Sequence, residues 1–65
     1  MNWQEYQAKL PALPDDATLE QWRAAVAEGE RLLEQVDEVD RGLARVILGD
    51  TLMQAGVFLG FVQPA

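Results

Sequence analysis

The sequence predicts an all-α fold: a short amino-terminal helix, a proline linker and an antiparallel helical hairpin, dimerising into a four-helix-bundle-like assembly. Three observations carry that expectation. Apolar residues recur at spacings of three and four, no stretch alternates apolar and polar residues long enough for a strand, and two capping-box patterns mark helix starts. With 65 residues there is room for one small domain and none for a doubly wound sheet or a barrel.

The first helix is expected over residues 2–10. Asn2 and Glu5 stand in the capping-box positions, and Trp3, Tyr6 and Leu10 share one face before Pro11 ends the element. Residues 11–17 form a stiff linker, because Pro11 and Pro14 each fix their own φ and push the preceding residue out of the helical region. A second capping box at Thr18–Gln21 predicts a helix over residues 18–37, with Asp15, Asp16 and Glu20 placed favourably near the positive end of its dipole. Its apolar line runs through Leu19, Trp22, Val26, Gly29, Leu33 and Val36, which makes a seam for packing on another helix. That seam breaks at Asp40. A turn between Asp37 and Gly42 is expected there in preference to one continuous helix, with Asp40 capping a third helix over residues 40–61 and Val39 as an apolar staple. The two long helices then match in length at about 30 Å.

The third helix drives the prediction of assembly. Leu43, Val46, Ile47, Leu48, Leu52, Met53, Val57, Phe58, Leu59, Phe61 and Val62 occupy nearly its whole circumference, which a single neighbouring helix does not cover. Gly42, Gly49 and Gly56 recur every seven residues, and Gly56 and Gly60 add a small-xxx-small step. A glycine in a helix interior costs about 1 kcal/mol relative to alanine, so the stripe predicts close approach of another backbone. The expected oligomer interface comprises Gly49, Met53, Gly56, Val57, Gly60 and Phe61, with Asp50 and Gln54 as polar positions that fix register; the alternatives are Asp50 facing water at the bundle rim and Gly60 serving as a helix C-cap.

Charge excludes several function classes. The chain carries 11 acidic and 5 basic residues for a net charge of −6, which repels nucleic-acid phosphates and anionic membranes. Direct nucleic-acid binding is therefore not expected. Cysteine and histidine are both absent, removing thiolate chemistry, the commonest general base and the commonest transition-metal ligands, so no catalytic, cofactor or metal residue is assigned. Residues 46–62 are mostly apolar, but Asp50, Thr51 and Gln54 make spanning a bilayer costly. The opening Met-Asn-Trp-Gln-Glu lacks the basic and apolar pattern of a leader, and a cytoplasmic location is expected.

What remains is binding without chemistry. Glu30, Glu34 and Glu38 recur at four-residue steps with Asp37 beside them, a carboxylate row able to meet a basic surface or imitate a phosphate backbone. Trp3 and Tyr6 form an aromatic head able to anchor in a partner's pocket or to cap the bundle. The expected function is a small non-enzymatic protein–protein interaction module, an adaptor or inhibitor that occupies a surface of a larger partner. The alternatives are a structural subunit of a larger assembly and a small membrane-associated protein.

Overall fold

A computed structural model describes residues 1–63 of the chain. Every regular element among them is helical: α1 (Trp3–Lys9), α2 (Leu19–Leu33), α3 (Glu38–Leu48), a π-helical stretch (Gly49–Met53) and α4 (Gln54–Phe58). The last three follow one another without a break, so they form one long helix. The α1 and α2 helices both pack on it. The Cα envelope measures 33 × 22 × 15 Å, a slab in which the long helix is covered on one side.

Local chemistry sets each start. The Asn2 side chain accepts from the Glu5 amide at 2.8 Å, which is half of the expected box. At α2 the full capping box forms: Thr18 Oγ1 accepts from the Gln21 amide at 3.2 Å, and the Thr18 amide donates to Gln21 Oε1 at 2.8 Å.

The hairpin turn forms, but four residues earlier than the seam predicts. The α2 helix ends at Leu33, and residues 34–36 tighten into i→i−3 bonds, among them Gln35 N–H to the Leu32 carbonyl at 3.0 Å. Tertiary partners complete this turn. The amino-terminal nitrogen of Met1 donates to the Gln35 carbonyl at 2.6 Å and lies 3.6 Å from Asp37 Oδ1, while Arg41 Nη2 donates to the Val36 carbonyl at 3.2 Å. Cations thus meet the negative end of α2, where carbonyls lack intrahelical partners. Val36 turns inward and is buried.

Two expectations at this turn are corrected. Asp37, not Asp40, precedes the first turn of α3, and it makes no side-chain capping bond. Asp40 Oδ2 instead accepts from the Trp3 amide at 3.2 Å, tying the start of α1 to α3. Val39 is 89% exposed and staples nothing.

The core is built where small residues let helices approach. Tyr6, Leu32, Val36 and Ala44 form its centre, with Leu10, Ile47 and Leu48 packed around them. Tyr6 is fully buried and its hydroxyl donates to the Gly29 carbonyl at 2.7 Å, so the aromatic ring adds apolar area while its one polar atom is satisfied. At Gly29 a Cβ would meet the Leu48 side chain, whose terminal methyl would have to move aside, so α2 lies close on the long helix there. The buried line of α2 is accordingly Ala25, Gly29 and Leu32, and Leu19 of the expected seam lies outside it, exposed.

Burial raises the Tyr6 phenol above its ordinary value of 10, and the nearby Glu30 carboxylate raises it further. An acid whose folded-state pKa is raised keeps its proton in the folded protein while the unfolded chain loses it. Tyr6 therefore stabilises the fold fully below about pH 10, and that contribution falls as the pH rises above 10. Tyr6→Phe is expected to cost about 1 kcal/mol near neutral pH, from the lost bond to Gly29. Urea titrations of both proteins should show this gap closing at alkaline pH. A gap that stays constant above pH 10 would refute the assignment.

Candidate functional site

Four residue sets singled out in the sequence find distinct places in the fold. The aromatic head is taken apart by it. Tyr6 lies in the core and cannot anchor a partner, and Trp3 is only partly exposed on a helix clamped by Asp40. The reason is the proline linker, which returns α1 alongside α3 instead of holding it away.

The carboxylate row is also divided. Because α2 stops at Leu33, Glu34 caps it and Asp37 and Glu38 belong to the start of α3, so Glu30, Glu34 and Glu38 do not share one helix. Glu30 and Glu34 line a cleft of about 430 Å³ whose other walls carry Leu33, Arg41 and Arg45. Two guanidinium groups thus stand among the carboxylates, and the cleft is balanced in charge. Arg41 Nε is buried there without an acceptor among the described residues. Asp37 faces the amino-terminal nitrogen, while Glu28 pairs with Arg31 at 2.9 Å, a bond that holds the Glu28 carboxyl below its usual range. A phosphate-like row on one rigid helix is therefore not what the fold builds.

The glycine stripe splits in two. Gly56 is buried, and a Cβ there would sit 2.8 Å from the Trp22 ring, so the close approach is within the chain. Trp22 itself donates from Nε1 to the Leu52 carbonyl at 2.7 Å and packs on Phe61 at a centroid separation of 6.1 Å. Gly60 adopts φ +82° and ends α4: its N–H bonds the Val57 carbonyl at 3.1 Å and the Phe61 N–H bonds the Gly56 carbonyl at 2.8 Å, a Schellman arrangement. Gly56, Gly60 and Phe61 of the expected interface thus have work inside the protomer. The other three, Gly49, Met53 and Val57, line an open groove of about 330 Å³ with Gln54 and Val62.

The π-helical stretch explains the split. Its i→i+5 bonding places one more residue in the turn than an α-helix does, which displaces later positions by about 100° relative to an unbroken helix. Leu52 and Gly56 thereby stay on the buried side with Ala44 and Leu48, while Phe58 is carried outward. The outward face reads Val39, Leu43, Val46, Asp50, Gln54 and Phe58, all exposed, with Val46 at 64% and Phe58 at 77%. Asp50 and Gln54 lie on this face and touch no buried register site. Leu43, Val46 and Phe58, part of the surplus apolar area of the last helix, lie on this face, and the three-four spacing of Val39, Leu43 and Val46 marks it in the sequence.

Chemistry finds little to work with on these surfaces. Among the described residues there is no group of three or more His, Cys, Asp or Glu side chains able to hold a metal, and no helix long and apolar enough to cross a membrane. No family model, curated protein or solved structure matches the chain. The fold and its surfaces define an all-helical protein whose main exposed feature is an apolar helix face.

Opposite effects are expected from adding one methyl group at two of the glycines. Gly56→Ala should destabilise by about 1–3 kcal/mol, because the rigid Trp22 ring has to move. Gly42→Ala, where nothing lies within 4 Å of the new Cβ, should stabilise by up to about 1 kcal/mol. Thermal unfolding of both variants checks the pair, and two changes of the same sign would count against the packing described.

Proposed function

We propose that this chain is a non-enzymatic protein–protein interaction module that acts by presenting the outward face of its long helix to another helical surface. The carrying observation is the run Val39, Leu43 and Val46 continued by Phe58, four large apolar residues left in water along one side of a helix about 31 Å long. Asp50 and Gln54 part Phe58 from the run Val39, Leu43 and Val46, and exposed apolar patches rimmed by polar residues mark association sites. An amphipathic helix laid into this strip, using i, i+3, i+4 and i+7 anchors, is the mode of recognition that fits it.

Within that reading the chain works as an adaptor or inhibitor by occupying a surface of a larger protein, or as a subunit of a helical assembly. Self-association into a four-helix arrangement is the form of assembly its hairpin architecture accommodates. The groove beside Gly49, Met53 and Val57 widens the contact at the α4 end. Net charge of −6 keeps the protein soluble and adds long-range attraction for basic surfaces. Imitation of nucleic-acid charge draws no support from the division of Glu30, Glu34 and Glu38 between two helices.

Val46→Glu and Phe58→Glu place a charge on the strip without touching the core. Both variants should retain the helical circular-dichroism spectrum and lose capture of host proteins by at least tenfold, whereas Glu34→Lys should retain it. Capture unchanged in Val46→Glu and lost in Glu34→Lys would transfer the site to the cleft.

A further inference from the structure

Beyond the helix face, we infer that residues 9–16 form a second interaction surface, a preformed polyproline II strap that docks in a groove walled by aromatic side chains on a partner protein.

The strap reads Lys9-Leu10-Pro11-Ala12-Leu13-Pro14-Asp15-Asp16, in which a Leu-Pro pair occurs twice, three residues apart. Each proline fixes its own φ at about −65° and forces the leucine before it into the extended region. Of residues 10–14 only Ala12 is left locally free. Leu10 accordingly adopts φ −63° and ψ 135°, close to the polyproline II values of about −75° and +145°. Residues 11–14 belong to no helix, strand or turn, and among the described residues no backbone hydrogen bond uses Pro11, Ala12 or Leu13. Their carbonyls are therefore open to donors from a partner. A stiff, extended and solvated backbone of this kind is the conformer that aromatic-lined grooves take.

The fold decides which edge of the strap is presented. Three residues complete one turn, so positions three apart share an edge. The leucine edge lies against the protein: Leu10 packs beside the core and Leu13 is half-buried. The proline edge is the accessible one, with Pro14 exposed, Pro11 half-buried and Ala12 exposed beside them. Two proline rings about 9 Å apart along the axis thus stand ready to stack on aromatic faces. Both ends are anchored. The Trp3 amide on Asp40 and the Tyr6 hydroxyl on Gly29 hold α1, and the Thr18 capping box starts α2. Binding then orders little that folding has not ordered already, which a free peptide does not match.

Charge gives the strap a direction. Lys9 is exposed and forms no ion pair among the described residues, while Asp15 and Asp16 are exposed at the other end. A polyproline II helix has a similar outline read either way, so its flanking charges decide which end lies where. The partner that fits carries a carboxylate at the Lys9 end of its groove and a cation at the Asp15 and Asp16 end. The strap joins α1 to α2, the two helices that cover the long helix, and so is separate from the face that carries Val46 and Phe58.

Titration against an array of isolated SH3, WW and EVH1 domains, the modules whose grooves take this conformer, tests the inference. At least one domain should bind the protein, and more tightly than it binds a synthetic peptide of residues 9–16. Pro14→Ala keeps the carbonyl that the Ala17 amide uses, so the helical circular-dichroism spectrum should persist while binding weakens by about tenfold. Lys9→Glu leaves both prolines in place and should weaken binding severalfold, with a smaller dependence on salt. Val46→Glu should bind the domain as the unmodified protein does. No binding by any domain at millimolar protein, binding unchanged in Pro14→Ala or in Lys9→Glu, or tighter binding by the peptide than by the folded protein would each overturn the inference. Binding lost in Val46→Glu would place the domain on the long helix, which overturns the strap and leaves the other docking surface standing.

Discussion

The turn from Gly49 to Met53 winds with i→i+5 bonds, and what the long helix buries depends on it. An α-helix advances about 100° per residue, so positions four apart drift by about 40° at each step. Ala44, Leu48, Leu52 and Gly56 are four apart and would spiral away from α2 over that length. The wider turn cancels the drift and returns Leu52 and Gly56 to the side that Ala44 and Leu48 began. Trp22 holds the arrangement from α2, with its ring over Gly56 and its indole N–H on the Leu52 carbonyl, a main-chain acceptor within the π stretch. A side chain bonding into the helical ladder is a recognised cause of such local departures from α geometry.

At the other end of the hairpin the organising force is polar. Orphan carbonyls at the end of α2 meet the Met1 nitrogen and Arg41, the start of α1 is held by Asp40, and the buried hydroxyl of Tyr6 is satisfied by Gly29. Each of these bonds joins segments more than twenty residues apart in sequence, except Arg41 to Val36. A chain this small buries a modest fraction of its surface, and such bonds fix which helix lies on which. The cost is outward. With α1, α2 and the long helix all committed to one layer of contacts, the opposite side of the long helix is left uncovered, and the interaction reading grows from that side.

Particular residues show where the sequence was readable. Thr18 and Gln21 announced the start of α2 because a capping box is a local device, needing nothing beyond four consecutive residues. The excess of apolar residues after Arg41 was equally plain, and so was the failure of one neighbour to cover them. Illegible were the end of α2, which is fixed by Met1 and Arg41 from outside the helix, and the burial of Tyr6, which waits on Gly29. Heptad counting through Gly42, Gly49 and Gly56 puts all three on one stripe only in an unbroken α-helix; the π-helical turn carries Gly56 into the core and leaves Gly49 beside an open groove.

Composition, the starts of α1 and α2, the proline linker and the surplus of apolar surface on the last helix were therefore set by the sequence alone, because each rests on side-chain type and short-range spacing. Which side of that helix stays in water was decided only in three dimensions. Trp22 and Leu52 meet across thirty residues of chain, and the twist they hold rotates everything downstream, a quantity that periodicity within one segment does not contain.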